Sequence, residues 1–141
     1  MQRIYSKINK DILLLTLIKK DNITDNRIDL SPEEEILQVA VKRLKKGTSF
    51  KPHKHNEIHR ITDTTQESWV FLSGKVEAKF YDIDDKMILQ TEMSAGDCVV
   101  VFKAGHSFKV LEDNTVIYEF KNGPYYGVKA DKTFIILAYN T

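Results

Sequence analysis

Cysteine is nearly absent from this chain of 141 residues, which contains only Cys98. A single thiol cannot form an intramolecular disulfide, so the fold must be held by an apolar core. A chain of this length can bury such a core as one domain. The cysteine content also suits a reducing compartment, and we expect a cytoplasmic protein.

Long apolar runs are missing as well. The longest near-continuous run extends from Ile12 to Ile18 and is interrupted by Thr16. It is far shorter than the ~20 residues that a membrane-spanning helix needs. Asp11 borders the run and no small-residue cleavage site follows it, so we do not expect a signal peptide. The sequence predicts a soluble protein.

An excess of either charge is absent too, because 21 basic and 20 acidic residues give a formal net charge of +1. This balance offers no electrostatic case for binding to nucleic acid or to a membrane surface. We therefore expect a small-molecule partner, no nucleic acid and no membrane.

The sequence does contain many short strand-like runs that are separated by turn residues. Apolar and polar residues alternate in 76–81, 106–110 and 116–120, whereas 69–72 and 98–102 are continuously apolar, and a further strand is predicted at 87–93. Strands at this spacing are typical of an all-β sandwich or barrel. The turn Ser73-Gly74-Lys75 predicts a hairpin between the runs 69–72 and 76–81. Further strands are predicted at 36–44 and 134–139, whereas 12–18 fits a strand or a short helix.

The four histidines point to a metal site. Side chains two residues apart on a strand share a face, so His53 and His55 can direct two imidazoles into one cavity. Glu67 begins a later strand, and His106 begins another. Two or three imidazoles with one carboxylate suit a divalent transition metal such as Fe, Mn, Ni, Co or Zn. We predict one such metal per chain, bound by His53, His55, Glu67 and His106.

Two further residues are candidates for acid–base catalysis. His59 lies in the long gap between His55 and Glu67, and Tyr118 lies on a predicted strand where its hydroxyl needs a partner if buried. Trp69 shares the strand face of Glu67 and is expected to pack in the core. Cys98 begins a buried-looking strand and is expected to be an inert thiol.

Residues 47–74 and 96–111 resemble the two motifs of the cupin superfamily. Gly47, His53, His55, Glu67 and Gly74 match the first motif, except that eleven residues separate His55 from Glu67, which is more than the pattern has. In the second motif Gly96-Asp97 matches, but Phe102 replaces a proline and His106 directly follows Gly105. The resemblance implies a double-stranded β-helix, also called a jelly-roll barrel. It would comprise residues 36–141, with residues 1–35 as an N-terminal extension that packs on the barrel or on a partner.

The resemblance also suggests a function. Similar small cupins are often encoded among genes for bacterial surface polysaccharide biosynthesis, and they are commonly homodimers. We expect a metal-dependent isomerase or epimerase that transfers a proton on a sugar or a nucleotide-linked sugar. The alternatives are an Fe(II)-dependent dioxygenase, a non-catalytic ligand-binding cupin, and a metal-free isomerase with a histidine base. A homodimer would also explain why Val70 and Leu72 are apolar beside Trp69 and Phe71.

Overall fold

The computed structural model describes residues 1–136, which are almost entirely strands and loops. Within this range, helix is limited to a 3-10 turn at Lys20–Asn22 and one α-helix, α1, at Val128–Asp131. The expectation of an all-β fold is therefore confirmed. The strands are β1 Gln2–Tyr5, β2 Leu13–Ile18, β3 Arg27–Asp29, β4 Ala40–Lys42, β5 Glu67–Ser73, β6 Lys75–Tyr81, β7 Met87–Ser94, β8 Cys98–Val101, β9 Gly105–Val110 and β10 Val116–Lys121.

The strands form two antiparallel sheets and a ribbon. The larger sheet has the order β1-β2-β8-β5-β10, and the smaller sheet has the order β7-β6-β9. The ribbon consists of β3 and β4. This arrangement is compatible with a β-sandwich.

The main core contains residues from both sheets. On the larger sheet, Val99 of β8 lies beside Leu17 of β2 and Trp69 of β5, so these side chains share one face. They pack in one buried cluster with Val76 and Phe80 of β6. Burying a large apolar side chain contributes about 1.5–3 kcal/mol, so this cluster is a main source of stability.

The opposite face of the larger sheet is covered by the β3–β4 ribbon. Ile28 of β3 and Val41 of β4 pack in a second cluster with Ile18, Val100 and Val70. All six residues of β2 are consequently buried. The ribbon covers Val70 within the same chain, whereas Leu72 remains 47% exposed.

Gly74 marks a change of sheet. β5 pairs with β8 and β10, whereas β6 pairs with β7 and β9, so the predicted hairpin between β5 and β6 is wrong. The backbone at Gly74 has φ +74°, and a Cβ atom there would lie 2.1 Å from Oγ1 of Thr115. The crossing therefore requires glycine. Turn residues predict that the chain reverses, but they do not predict which strand it will pair with.

Three other segments differ from the predicted strands. The run predicted at 36–44 is a strand only at Ala40–Lys42. Residues 43–66 contain no helix or strand. Residues 134–136 are not a strand either, and the remainder of the strand predicted at 134–139 lies outside the described residues. No helix in the described part of the chain is long and apolar enough to cross a membrane.

Candidate functional site

A cavity of about 730 Å³ lies between the two sheets. Its walls come from β5, β6, β9 and β10, from residues 101–104, and from residues 131–135. Cavities of this size hold small organic ligands. The polar groups that line it therefore define the candidate site.

Glu67 and His106 meet in this cavity. Oε1 of Glu67 lies 3.8 Å from Nε2 of His106, and both residues line the cavity wall. The Glu67 side chain is 7% exposed and that of His106 is 26% exposed. A largely buried carboxylate thus faces an imidazole that a ligand can reach.

The second ring nitrogen of His106 fixes how the imidazole can act. Nδ1 lies 3.3 Å from the carbonyl oxygen of Ala104, which can only accept a hydrogen bond. Nδ1 therefore carries a hydrogen atom and donates a hydrogen bond to the carbonyl oxygen of Ala104. In the neutral ring Nε2 then has no hydrogen atom and can accept one. An imidazole held in this way can take up a proton at Nε2, and the carboxylate of Glu67 would stabilise the resulting cation.

Aromatic residues surround the pair. Nε1 of Trp69 donates a hydrogen bond to Oε1 of Glu67. The Trp69 ring makes edge contacts with His106, at a centroid distance of 5.0 Å, and with Phe108, at 5.1 Å. Trp69 is 2% exposed, whereas Phe108 is 42% exposed. Trp69 is therefore a buried support, and Phe108 is the aromatic surface that a ligand can touch.

A second charged group lies next to the pair. Nζ of Lys121 is 3.4 Å from Oε1 of Glu119 and 3.6 Å from Oδ2 of Asp131. Thr65 also donates a hydrogen bond to Asp131, at 3.0 Å. Burial alone would lower the pKa of Lys121, but the carboxylates of Glu119, Glu67 and Asp131 raise it above its ordinary value. Lys121 is therefore a cation that offsets the carboxylates around it.

Of the residues predicted for the site, Glu67 and His106 lie together in the cavity wall. His53, His55 and His59 are exposed in the 43–66 segment, and none of them is among the described residues that line the cavity. The rings of His53 and His55 do lie close to each other, with centroids 5.6 Å apart.

Tyr118 lies on the other face of its sheet. Glu119 pairs with Trp69 across β10 and β5 and lines the cavity. Lys121 pairs with Glu67 and lies beside the cavity on the same strand face as Glu119. Tyr118 pairs with Val70, faces away from the cavity and is 55% exposed. The sequence pattern suggested the apolar side of β10 as the inward side. The cavity-lining residue that the pattern missed on this strand is Glu119, and the available signal was its alternation with Tyr118.

The four residues predicted to bind a metal do not lie together in the described part of the chain. Among residues 1–136 no three His, Cys, Asp or Glu side chains lie close enough together to hold an ion. Glu67 and His106 supply two ligands, whereas protein sites for transition metals usually have three or four. Lys51 and Lys54 flank His53, and their charge opposes the binding of a divalent cation there.

Two residues of the second cupin-like motif have a structural role. Asp97 is buried and accepts hydrogen bonds from the backbone N–H groups of Lys20, at 2.9 Å, and Ser94, at 3.0 Å. Gly96 has φ +90°, and a Cβ atom there would meet the side chain of Lys20 at 2.6 Å. Gly96-Asp97 therefore shapes the turn before β8 and does not take part in the cavity.

Cys98 lies away from the cavity, under the ribbon. Its Sγ atom is 3.7 Å from Oγ of Ser68, and it packs in the second apolar cluster. Burial raises the pKa of the thiol, and the hydrogen bond with Ser68 offsets this only in part. A neutral buried thiol is a poor nucleophile, which agrees with the expected core role.

Comparisons with known proteins add nothing to this geometry. No protein-family model, curated protein or solved structure matches the chain. The chemistry of the site therefore has to be inferred from its own residues.

Proposed function

We propose that the chain is a cupin-type β-fold protein that binds a small polar metabolite in the cavity and transfers a proton through His106. The observation that carries this proposal is the Glu67–His106 pair, with 3.8 Å between Oε1 and Nε2. The pair combines a base that a ligand can reach with a carboxylate that would stabilise the protonated base.

The cavity suits a sugar or a nucleotide-linked sugar that carries a carbonyl group. Glu119 and Asp131 line the cavity and offer acceptors for hydroxyl groups, and Lys121 forms ion pairs with both from beside the cavity. Phe108 offers an exposed aromatic face for the apolar side of a sugar ring. These groups support binding of a ligand with hydroxyl groups on one side and C–H groups on the other.

The proposed reaction is an isomerisation or epimerisation. Nε2 of His106 removes the proton from the carbon next to the carbonyl group, and the electron pair of the C–H bond moves towards the carbonyl oxygen. Glu67 stabilises the imidazolium that forms. The proton on Nε2 can exchange with solvent before His106 returns a proton to a carbon of the enolate or enediol. In an isomerisation the proton of the neighbouring hydroxyl group also moves to the former carbonyl oxygen. His106 ends in its starting state and no oxidant is needed.

Isotope exchange tests this reaction directly. Candidate sugars would be incubated with the protein in deuterated water under argon, and deuterium uptake would be read by mass spectrometry. We expect uptake with the unmodified protein and at least a hundredfold less with His106→Gln, since general base catalysis contributes about 10²–10⁴. Glu67→Gln should also lower the uptake, because it removes the charge that stabilises the imidazolium. Glu112→Gln, at an exposed turn residue, is its matched control and should leave the uptake unchanged.

Binding can be measured separately from exchange. Trp69 is the chain's one tryptophan and contacts both His106 and Phe108, so its fluorescence reports occupancy of the cavity. A sugar that changes the fluorescence and stabilises the fold without exchanging hydrogen would identify a non-catalytic binding protein. Exchange that survives in His106→Gln would overturn the assignment of the base.

A metal-dependent enzyme is the second candidate. The observation in its favour is the short distance between the His53 and His55 rings, 5.6 Å between centroids. The 43–66 segment would have to carry both rings to Glu67 and His106. One equivalent of metal in protein purified without an affinity tag, lost in His53→Ala, would favour this candidate over the proton-transfer pair. Oxygen consumption with Fe(II) would then identify a dioxygenase.

A further inference from the structure

Positive charge is concentrated in residues 42–60, which we call the basic segment. It contains seven of the chain's 21 basic residues and one of its 20 acidic residues, Glu57, which leaves fourteen basic and nineteen acidic residues elsewhere. The seven are Lys42, Arg43, Lys45, Lys46, Lys51, Lys54 and Arg60. The net charge of +1 for the whole chain thus hides a segment of +6.

These charges form no ion pair within the described part of the chain, although Lys42, after Arg27, helps to lower the pKa of Asp29. All seven side chains are exposed, and residues 1–136 provide no ion-pair partner for any of them. Like charges at this density repel one another and favour an anionic partner.

Large apolar side chains are exposed in and beside the same segment. Leu44 is 53% exposed, Phe50 is 60%, Ile58 is 60%, and Ile61, just beyond its end, is 85%. Nζ of Lys42 lies 5.1 Å from the centre of the Phe50 ring, which keeps a cation and an aromatic side chain together. Basic side chains attract anionic headgroups, and exposed apolar side chains beside them add apolar area that a lipid surface can bury.

We propose that the basic segment docks the protein on an anionic lipid bilayer. Its lysine and arginine side chains would meet the headgroups, and Leu44, Phe50, Ile58 and Ile61 would enter the boundary between headgroups and acyl chains. A single-stranded nucleic acid would also attract the charges, but it is bound mainly through stacking aromatics. Three of these four apolar residues are aliphatic, which favours lipid.

Co-sedimentation with vesicles tests the proposal. The full chain is mixed with vesicles of phosphatidylcholine and phosphatidylglycerol, or of phosphatidylcholine alone. We expect binding to the anionic vesicles only, weakened by salt because surface charges are screened. Each basic side chain near such a surface contributes about a fivefold factor, so Lys45→Gln/Lys46→Gln/Lys51→Gln should bind roughly a hundredfold more weakly.

Matched variants separate the two contributions. Lys7→Gln/Lys10→Gln/Lys109→Gln changes the net charge equally at exposed positions outside the segment and should bind as the unmodified protein does. Phe50→Ser/Ile61→Ser keeps every charge and should lose the binding that remains at high salt. None of these variants changes a histidine or a residue of the cavity.

Three results would overturn the proposal. They are absence of binding to anionic vesicles, equal loss in the two lysine variants, and unchanged high-salt binding of Phe50→Ser/Ile61→Ser. Binding of a fluorescent single-stranded oligonucleotide without vesicle binding would show that the partner of the basic segment is nucleic acid and not lipid. The outcome is independent of the sugar-exchange assay, because His106 and Glu67 are intact in every variant.

Discussion

The indole N–H of Trp69 donates a hydrogen bond to Glu67, which lies two residues earlier on the same face of β5. Both residues are buried, so the loss of the acceptor would leave the indole N–H without a partner. We expect Glu67→Leu to lower the free energy of unfolding by about 1–3 kcal/mol, whereas Glu67→Gln keeps an acceptor and should cost less. Urea unfolding followed by Trp69 fluorescence measures both. Equal losses would show that the charge of Glu67 matters to stability and the hydrogen bond does not.

Asp82 makes the free energy of unfolding depend on pH in the acidic range. Its carboxylate accepts hydrogen bonds from the N–H groups of Lys7, at 2.7 Å, and Ile83, at 2.8 Å, and so ties the turn after β1 to the turn after β6. Burial opposes ionisation, but the Ser6 hydroxyl and the backbone N–H groups of Lys7, Ile83 and Ile8 hold the pKa of Asp82 below its ordinary value. A carboxyl whose pKa is lowered by folding stabilises the protein above its ordinary pKa, and the contribution is lost as pH falls through the folded value.

Asp82→Asn should therefore cost about 1–3 kcal/mol near neutral pH, and the cost should shrink on acidification to about pH 3. Urea unfolding of both proteins at the two pH values measures the difference. Asp113→Asn, at an exposed turn, is the control and should change little. A cost that does not change with pH would show that Asp82 acts through its shape and not through its charge.

Thr16 is the one residue of β2 with a polar side chain. It is fully buried, and its Oγ1 atom has no hydrogen-bond partner among residues 1–136. Valine has nearly the same shape without the hydroxyl, so Thr16→Val should raise the free energy of unfolding by about 1 kcal/mol. In contrast, Thr115→Val should lower it, because Oγ1 of Thr115 donates to Glu112 at 2.7 Å. A destabilised Thr16→Val protein would mean that the hydroxyl has a partner.

Alanine variants of Gly74 and Gly47 distinguish the cost of backbone strain from the cost of a steric clash. Both glycines have positive φ, at +74° and +87°, but a Cβ atom at Gly47 would meet nothing within 4 Å. Gly47→Ala should cost about 1 kcal/mol from strain alone. Gly74→Ala adds the clash with Thr115 and should cost about 3 kcal/mol or more. Thermal unfolding compares the two, and similar costs would contradict the close crossing between the sheets.

The later strands were predictable because each has a local signal. In β6 Val76, Ala78 and Phe80 alternate with polar residues, and turn residues bound every strand from β6 to β10. The pairing of β5 was not predictable in this way, since it depends on contacts with β8 and β10 that no local pattern contains. The sequence analysis placed His53 and His55 on a strand because they are two residues apart, whereas residues 43–66 form no strand.

The sequence predicted a site residue correctly only where the alternation of side chains along a strand agrees with the burial of the apolar ones. Glu67 lies on the same strand face as Trp69 and Phe71, whose burial anchors that face, and this orientation is confirmed. On β10 Tyr118 faces away from the cavity, whereas Ile117 packs against the main core and Glu119 lines the cavity, so the apolar alternation at Val116, Tyr118 and Phe120 indicated the wrong side. Asp131 belongs to α1, where no motif marks it as a neighbour of Lys121.

The order of the larger sheet has a consequence for biosynthesis. β2 pairs on one side with β1, which precedes it, and on the other with β8, in a register that joins Leu15 to Val101. A ribosome that has just made β2 must therefore add roughly eighty residues before that second partner exists, and contacts of such long range form slowly. Until then the nascent chain presents a strand of six mostly apolar residues to the cell. Chaperones that bind extended apolar segments would find their target in β2 during translation, before the sheet closes over it.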